Sequence, residues 1–511
     1  MPALLDFFRR MGSRQVVRPW ALCAPIVVIL ICLPLLRPLR SPGDASEQEL
    51  SRLATIQALV ERRGQADPLS VQQTEFFELL REKPAGAAPA ALPAWVPGDA
   101  VPGTIVRRIS PADPRGRPAH HYYSDRPPVL GFLLSGAYEG LHRSGYTFES
   151  HPAVVAYVLT LLGVTLPVAG AAGLVYRMGR LFELPRPARA ALALVVVLGS
   201  GLIGYGTALN SHAPAAALVL GAGACLLHIQ GARRPARGGA WLMLCGFCAA
   251  LAATIDLSAG IFLVLLVLVI PALRWGWGMR VGGVLLYLIG ATPPIVLHLA
   301  LTLPITGDAL PGFLHPELAG NRRAPAAATA DEPSTTDDSA PRPAGWKLAA
   351  WHAADAGART LIGSRGLLTH FPIAVLGVLG IALVLRRHWP ASTKVLAAAT
   401  LAGAGAVVVA YTADGRADWS QAMLGPRWFI VFLPVLVFWA GAWLRRPHHP
   451  VTWSLAAVVL VYSAGVSLIG AAAPFVKAAP GQYTVAAALK HMTAADARAP
   501  RPAAPDAVAG K

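Results

Sequence analysis

The chain has 511 residues, of which 55% are hydrophobic and only 14% charged, against about 25% charged in an average soluble protein. With a mean hydropathy of +0.51, it cannot cover a water-facing surface with charge, and it is too apolar for intrinsic disorder; a polytopic membrane protein remains. The net charge of +17, from 44 Lys and Arg against 27 Asp and Glu, would point to nucleic acid if it sat on one face, but its placement excludes that need.

In chain order, a basic stretch over 1–19 carries Arg9, Arg10, Arg14 and Arg18 and leads into an apolar window at 20–36. Further windows of bilayer-spanning length fall at 151–176, 190–206, 212–229, 239–256, 258–273, 281–300, 371–385, 395–412, 428–444 and 451–472, eleven in all. They predict an all-α polytopic helical bundle. Its spans group into 151–300 and 371–472. Long loops occupy 37–150 and 301–370, and an Ala/Pro-rich tail covers 473–511. The first window follows a basic run and exits through Leu36-Arg37-Pro38-Leu39-Arg40, with no small-residue cleavage site; it reads as an uncleaved signal anchor.

Topology follows from the basic residues of the short loops. Alternate loops carry Arg177, Arg180, Arg186 and Arg189, then Arg233, Arg234 and Arg237, then Arg274 and Arg280, then Arg386, Arg387 and Lys394, then Arg445 and Arg446. The turns between them are nearly free of basic residues: Asn210-Ser211-His212, Asp256, and Asp414 to Asp418. All clusters fall on one side when the N-terminus is cytoplasmic. A multi-pass protein of a bacterial inner membrane results, and nucleic acid is an unnecessary partner. Both long loops are then extracytoplasmic.

Cys23, Cys32, Cys225, Cys245 and Cys248 all lie within apolar runs, so no disulfide framework is implied. Cys245 and Cys248 have redox-motif spacing, but without other clustered soft ligands they read as small packing residues.

Within the first long loop, Leu50, Leu53, Ile56, Leu59 and Val60 recur at helical spacing and predict an amphipathic helix over 46–62. Phe76, Phe77, Leu79 and Leu80 predict a second helix. Residues 84–103 and 324–344 read as a linker and a flexible insert, and a short helix is expected near 482–492. The apolar stretch Pro127–Leu141 is too short to cross. If it crossed, every later basic cluster would change sides. It reads as a re-entrant or interfacial helix, which needs protein or a water-filled cavity around it.

The densest local signal is His120-His121-Tyr122-Tyr123-Ser124-Asp125-Arg126-Pro127-Pro128. Asp125 has two readings. It is either a cap for the orphan N–H groups of the following helix or part of an anion site in which Arg126 offers a rigid fork to phosphate. Tyr123 to Leu130, followed by Ala137-Tyr138, resembles the "YSxKPP" segment of polytopic C-type (GT-C) glycosyltransferases. These lipid-carrier-dependent enzymes are related to aminoarabinose transferases and protein O-mannosyltransferases. Ser51 to Glu61, Thr207 to Pro214, Gly363 to Leu368 and Gly425 to Trp428 are similar to further segments of that superfamily, in the same order.

The resemblance implies a polyprenyl-phosphate-linked sugar donor and inverting transfer at the extracytoplasmic face. It implies that Arg126, standing in the lysine position, holds the donor phosphate. It also implies a general base among Asp44, Glu47 and Glu49, of which Glu49 lies closest to the matched segment. Where relatives carry a second acid, this chain has Asn210 and His212, which does not indicate a tightly bound divalent metal; the cofactor is left open. The expected site therefore comprises Glu49 and Asp125 as catalytic carboxylates, with Arg126, Tyr123, Asn210, His212, Arg365 and Arg427 contacting substrate.

Several of these residues keep a second reading. Arg427 also fits an interfacial anchor, Arg365 a headgroup partner, His212 a polar turn, and Asp256 an N-cap. The competing functional class is a transporter or flippase of a lipid-linked or small anionic substrate. Such proteins place ionisable groups near the midplane and are often built from repeats; here polar groups gather at span ends. A non-catalytic scaffold descended from such enzymes is the third class.

Overall fold

The computed structural model describes residues 19–36, 46–63, 65, 67–72, 74–76, 105–110, 119–230, 238–273, 277–315, 345–413, 427–445, 448–474 and 482–498. The basic N-terminal stretch, Asp44, the 84–103 linker, the 324–344 insert, the Arg233–Arg237 turn and the Asp414–Asp418 turn lie outside the described residues. Of the second loop helix, only Glu75 and Phe76 lie within them.

Helices dominate. The first apolar window forms α1 (Pro19–Leu35), and the amphipathic stretch forms α2 (Glu47–Glu61). The all-α expectation holds for the bundle, and one element is added to it. β1 (Ile105–Ser110) and β2 (Ala119–Ser124) pair as an antiparallel ribbon, with Ile105 opposite Ser124 and Ser110 opposite Ala119. The His-His-Tyr-Tyr run, read as a motif from the sequence, is β2, and its aromatic side chains favour a pleated backbone.

After the ribbon comes α3 (Val129–Arg143), a helix over the stretch expected to be re-entrant or interfacial. It packs along α2, and Gly131 sits so close that an added Cβ would stand 3.2 Å from the Thr55 side chain. Tyr138 closes the far end of this pair by donating to Glu61.

The bundle continues with α4 (Pro152–Thr160), a π-turn at Leu161–Thr165 and α5 (Leu166–Met178). The π-turn precedes Pro167, which has no N–H for the helical ladder. Next are α6 (Arg186–Gly199), α7 (His212–Gln230), α8 (Gly239–Ile255), α9 (Gly260–Val267) and α10 (Trp277–Thr306). After α11 (Gly345–Ile362), the short turn α12 (Leu367–His370) leads to α13 (Ala374–Arg386) and α14 (Ala391–Ala413). The C-terminal part holds α15 (Leu433–Phe438), α16 (Ala440–Leu444), α17 (Pro450–Ala472) and α18 (Thr484–Arg498).

Five described stretches are long and apolar enough to cross a bilayer: Pro152–Phe182, His212–Gln230, Arg280–Thr306, Ala391–Ala410 and Pro450–Ala472. Ala354–His370 and Ala374–Arg386 would make a sixth, but they meet at 92°. Pro372 falls in this break, as expected of a residue that cannot continue a helix. Trp20–Leu35, Gly239–Ile255, Leu257–Ala272 and Leu433–Leu444 are apolar but shorter. Five to six of the eleven expected crossings therefore meet both criteria. Exposed Leu455, Val458 and Val461 on α17 present an apolar outer surface of the kind that lipid covers.

Helices α8 and α10 meet backbone to backbone. A Cβ on Gly246 would lie 1.9 Å from the Tyr287 carbonyl oxygen, and one on Gly290 would lie 1.9 Å from that of Met243. Small residues permit such close approach where lipid removes the hydrophobic drive for helices to associate.

The expected span 190–206 is interrupted. Helix α6 ends at Gly199, and residues 200–211 are buried but non-helical apart from one 3-10 turn at Ile203–Tyr205. Backbone of this kind needs internal partners, and three helices supply them. Ser467 of α17 accepts from Gly201 N at 3.1 Å. The π-turn's Thr165 donates to the Gly206 carbonyl at 2.8 Å. Glu49 of α2 accepts from Leu209 N at 3.1 Å. Thr207 in turn donates to the Ala471 carbonyl at 2.9 Å.

Gly201 starts this segment at φ +76, and a Cβ there would lie 2.5 Å from the Phe371 ring. Gly201→Ala is therefore expected to destabilise the protein by about 2 kcal/mol or more, from left-handed strain and overpacking together. Thermal unfolding in detergent reads this directly; an unchanged midpoint would mean that the segment is not held as described.

Candidate functional site

Ser46 caps α2, its hydroxyl accepting from Glu49 N at 3.2 Å. Ser46-x-x-Glu49 has the spacing of a capping box, yet the Glu49 carboxylate crosses to the buried Leu209 N–H. One turn further along α2, Arg52 is also buried, and its Nη2 donates to Ser211 Oγ at 3.2 Å. Helix α2 thus presents an acid and a base side by side to the segment that precedes α7.

Ser211 Oγ donates in turn to Asp256 Oδ2 at 2.9 Å. His212 Nδ1 lies 2.5 Å from the same oxygen. Asp256 Oδ1 accepts from Ser258 N at 3.1 Å and from Ser258 Oγ at 2.6 Å. Asp256 is therefore the N-cap of the Leu257–Ala259 turn that the sequence allowed, and it also joins two residues of the neighbouring turn. Burial pushes its pKa up, but His212, Ser258 and Ser211 outweigh that and hold it below the ordinary carboxylate range.

The ribbon brings the second cation. Ser51 and Ser124 share a hydrogen bond at 2.6 Å, which pins the end of β2 to α2. Beyond it, Asp125 is almost completely buried and its Oδ1 lies 3.1 Å from Arg126 Nε. The Asp125 carbonyl accepts from Phe313 N at 3.1 Å, and the Arg126 guanidinium lies 5.9 Å from the Phe313 ring centroid. The start of the second long loop is thereby docked on the end of the first.

Arg427 opens the 3-10 turn Arg427–Val431, which packs against both α7 and the Leu257–Ala259 turn. The charges of Arg126, Asp256, Asp125 and Arg427 all bear on Arg52. Burial first, and then the like charge of Arg126, pull the Arg52 pKa down to about 9, with Asp256 and Asp125 opposing. Arg52 thus remains a cation at neutral pH. Three guanidinium groups and the carboxylates Glu49, Asp125 and Asp256, from remote parts of the chain, share this end of the bundle.

The other expected site residues fall as follows. The Asn210 side-chain nitrogen donates to the carbonyls of Tyr205 at 2.6 Å and Ala208 at 2.7 Å, and its oxygen accepts from Ala213 N at 2.9 Å. Its amide is spent on the turn and on the start of α7. The Tyr123 hydroxyl donates to Asp67 Oδ2 at 2.6 Å, and His121 Nδ1 lies 2.9 Å from the same atom. Arg365 sits in the Gly363–Gly366 turn, beside buried His370. Glu47 opens α2, and Asp44 lies outside the described residues. Among the described residues no three His, Cys, Asp or Glu side chains are grouped as metal ligands.

Sequence spacing alone does not mark Arg52 and Ser211 as members of this cluster, and it offers Asp256 chiefly as a cap. The available signal was the helical spacing that places Arg52 beside Glu49. Asp256→Ala removes the counter-charge next to buried Arg52 and His212. It is expected to cost roughly 3–5 kcal/mol, as when one partner of a buried ion pair is deleted. Chemical unfolding in detergent tests this, and a loss below about 1 kcal/mol would place the carboxylate in a solvated surface pair instead.

No protein-family model matches the chain, and no curated protein matches it. Among solved structures, the apo crystal structure of the Archaeoglobus fulgidus oligosaccharyltransferase is similar at 11% identity with a TM-score of 0.46. The alignment covers 90% of this chain and 56% of that one, so the chain spans little more than half the length of that protein.

Proposed function

We propose that the chain is an integral-membrane glycosyltransferase of the GT-C type. It takes a sugar from a polyprenyl-phosphate-linked donor and passes it, with inversion, to an acceptor at the extracytoplasmic face. The observation that carries this reading is the gathering of Arg52, Arg126 and Arg427 with Asp125 and Asp256 at one end of an apolar bundle. An anionic headgroup on a membrane-bound tail fits such a place. Its phosphate meets fixed guanidinium groups while its chain stays against apolar helices, and charge that develops on the departing phosphate meets cations already in position.

Within this reading Arg126 holds the donor phosphate and Asp125 fixes the Arg126 fork. The resemblance offers Glu49 as the general base. Its bond to Leu209 N supports a further duty, which is to hold the turn that carries Ser211 and His212. A transporter would be supported by ionisable groups at mid-depth; the charged groups named here lie instead on the amphipathic helix α2 and at turns.

Arg126→Ala is expected to lower transfer from a polyprenyl-phosphate sugar by about 100-fold or more, the scale of losing one preorganised charge partner, with the protein still folded. Unchanged turnover would remove the phosphate role. For topology, a reporter fused within 84–103 is expected to be extracytoplasmic and one fused at 233–237 cytosolic. The opposite pattern would place the site on the wrong face for an exported acceptor.

A further inference from the structure

We propose that His212, held by Asp256, accepts the proton from the acceptor hydroxyl in the transfer reaction; this rests on the glycosyltransferase reading above. The argument begins with the ring nitrogens. His212 Nδ1 is 2.5 Å from Asp256 Oδ2. A carboxylate accepts hydrogen bonds, so Nδ1 carries the hydrogen, and the lone pair of the neutral ring falls on Nε2. The close approach to Asp256 favours the tautomer whose basic atom is on the side away from that carboxylate.

The carboxylate is itself held. Ser211 donates to Oδ2, and Ser258 donates to Oδ1 through both its N–H and its hydroxyl. A buried anion fixed in this way stabilises an imidazolium as it forms. This is the logic by which an acid–base histidine is oriented by a third group.

The surroundings place the ring at the site. Tyr205 meets it edge to face, with centroids 6.1 Å apart. Arg52 of α2 and Arg427 of the 3-10 turn lie close enough for their charges to act on it. Among the described residues, Asp256, Arg52, Arg427 and the Tyr205 phenol are charged or titratable groups near His212. Glu49, bound to Leu209 N, steadies the turn from which His212 projects.

The step balances as follows. The acceptor O–H gives its proton to His212 Nε2. The oxygen's electron pair forms the new bond to the anomeric carbon. The bond from that carbon to the phosphate oxygen breaks, and its electron pair leaves on the phosphate. The imidazolium stays paired with Asp256 until its proton passes to water.

The test uses the full-length protein in membranes of a strain deleted for the chain, with the glycan lost on deletion read by mass spectrometry. His212→Gln is expected to lower the initial rate of its restoration by about 100-fold or more, the usual scale of general-base catalysis. His212→Ala should regain part of that rate on addition of imidazole, whereas Asp256→Asn should slow transfer without imidazole rescue. The wild-type rate should fall with decreasing pH as the ring protonates, with an inflection that His212→Gln removes. Polyprenyl phosphate, which lacks the sugar, should bind purified His212→Ala in nanodiscs as it binds the wild type, so that failure to fold is separated from loss of chemistry.

Restoration by His212→Gln at the wild-type rate, or an inflection that survives in it, overturns the proposal while leaving the glycosyltransferase reading intact. If deletion removes no glycan and the wild-type protein does not bind polyprenyl phosphate, that reading fails and the proposal fails with it.

Discussion

The structure depends on how one buried, unwound stretch of backbone meets its hydrogen-bonding needs. Residues 200–211 leave the helical ladder while buried among apolar helices, where water cannot substitute for missing partners. Ser467 of α17, Thr165 at the π-turn before α5, and Glu49 of α2 provide them, and the Thr207 hydroxyl adds a bond to the Ala471 carbonyl. Each bond ties a different part of the chain to the segment, which is why the site at its end can be assembled from remote residues. The extra residue of the π-turn also has a use here, because it sets Thr165 within reach of the Gly206 carbonyl.

Much of the scaffold was legible in the sequence because hydrophobicity is a local property. Most of the apolar windows became apolar helices close to where they were expected, and the spacing of Leu50, Leu53 and Ile56 marked α2 to within a residue or so. Interruptions were less legible. The bend at Phe371–Ile373 and the unwinding after Gly199 arise where Pro372 stops one ladder and tertiary partners replace another, and hydropathy does not register either. The ribbon was missed for a related reason. Its strands form through pairing with each other, and β1 lies in a loop with no strong alternation.

The site was legible in part. The motif around Asp125 and Arg126 and the turn around His212 stood out as polar islands, and both contribute to the cluster. Asn210 stood out for the same reason but serves the backbone of its own turn. Arg52 and Asp256 were not distinguished, because their importance lies in meeting each other's surroundings through Ser211 across more than a hundred residues of chain. No window of sequence contains that relation. Only the packing of the 3-10 turn at Arg427 against α7 and the Asp256 turn brings the last cation to it.

The linkage from Arg52 through Ser211 to Asp256 bears on biosynthesis. Helix α2 leaves the ribosome long before residues 211 and 256, yet its arginine is buried in the finished protein and finds its counter-charge there. Seating an unmatched guanidinium among apolar helices costs several kcal/mol. Helix α2 can therefore take its final seat only once residues 211 and 256 have been made.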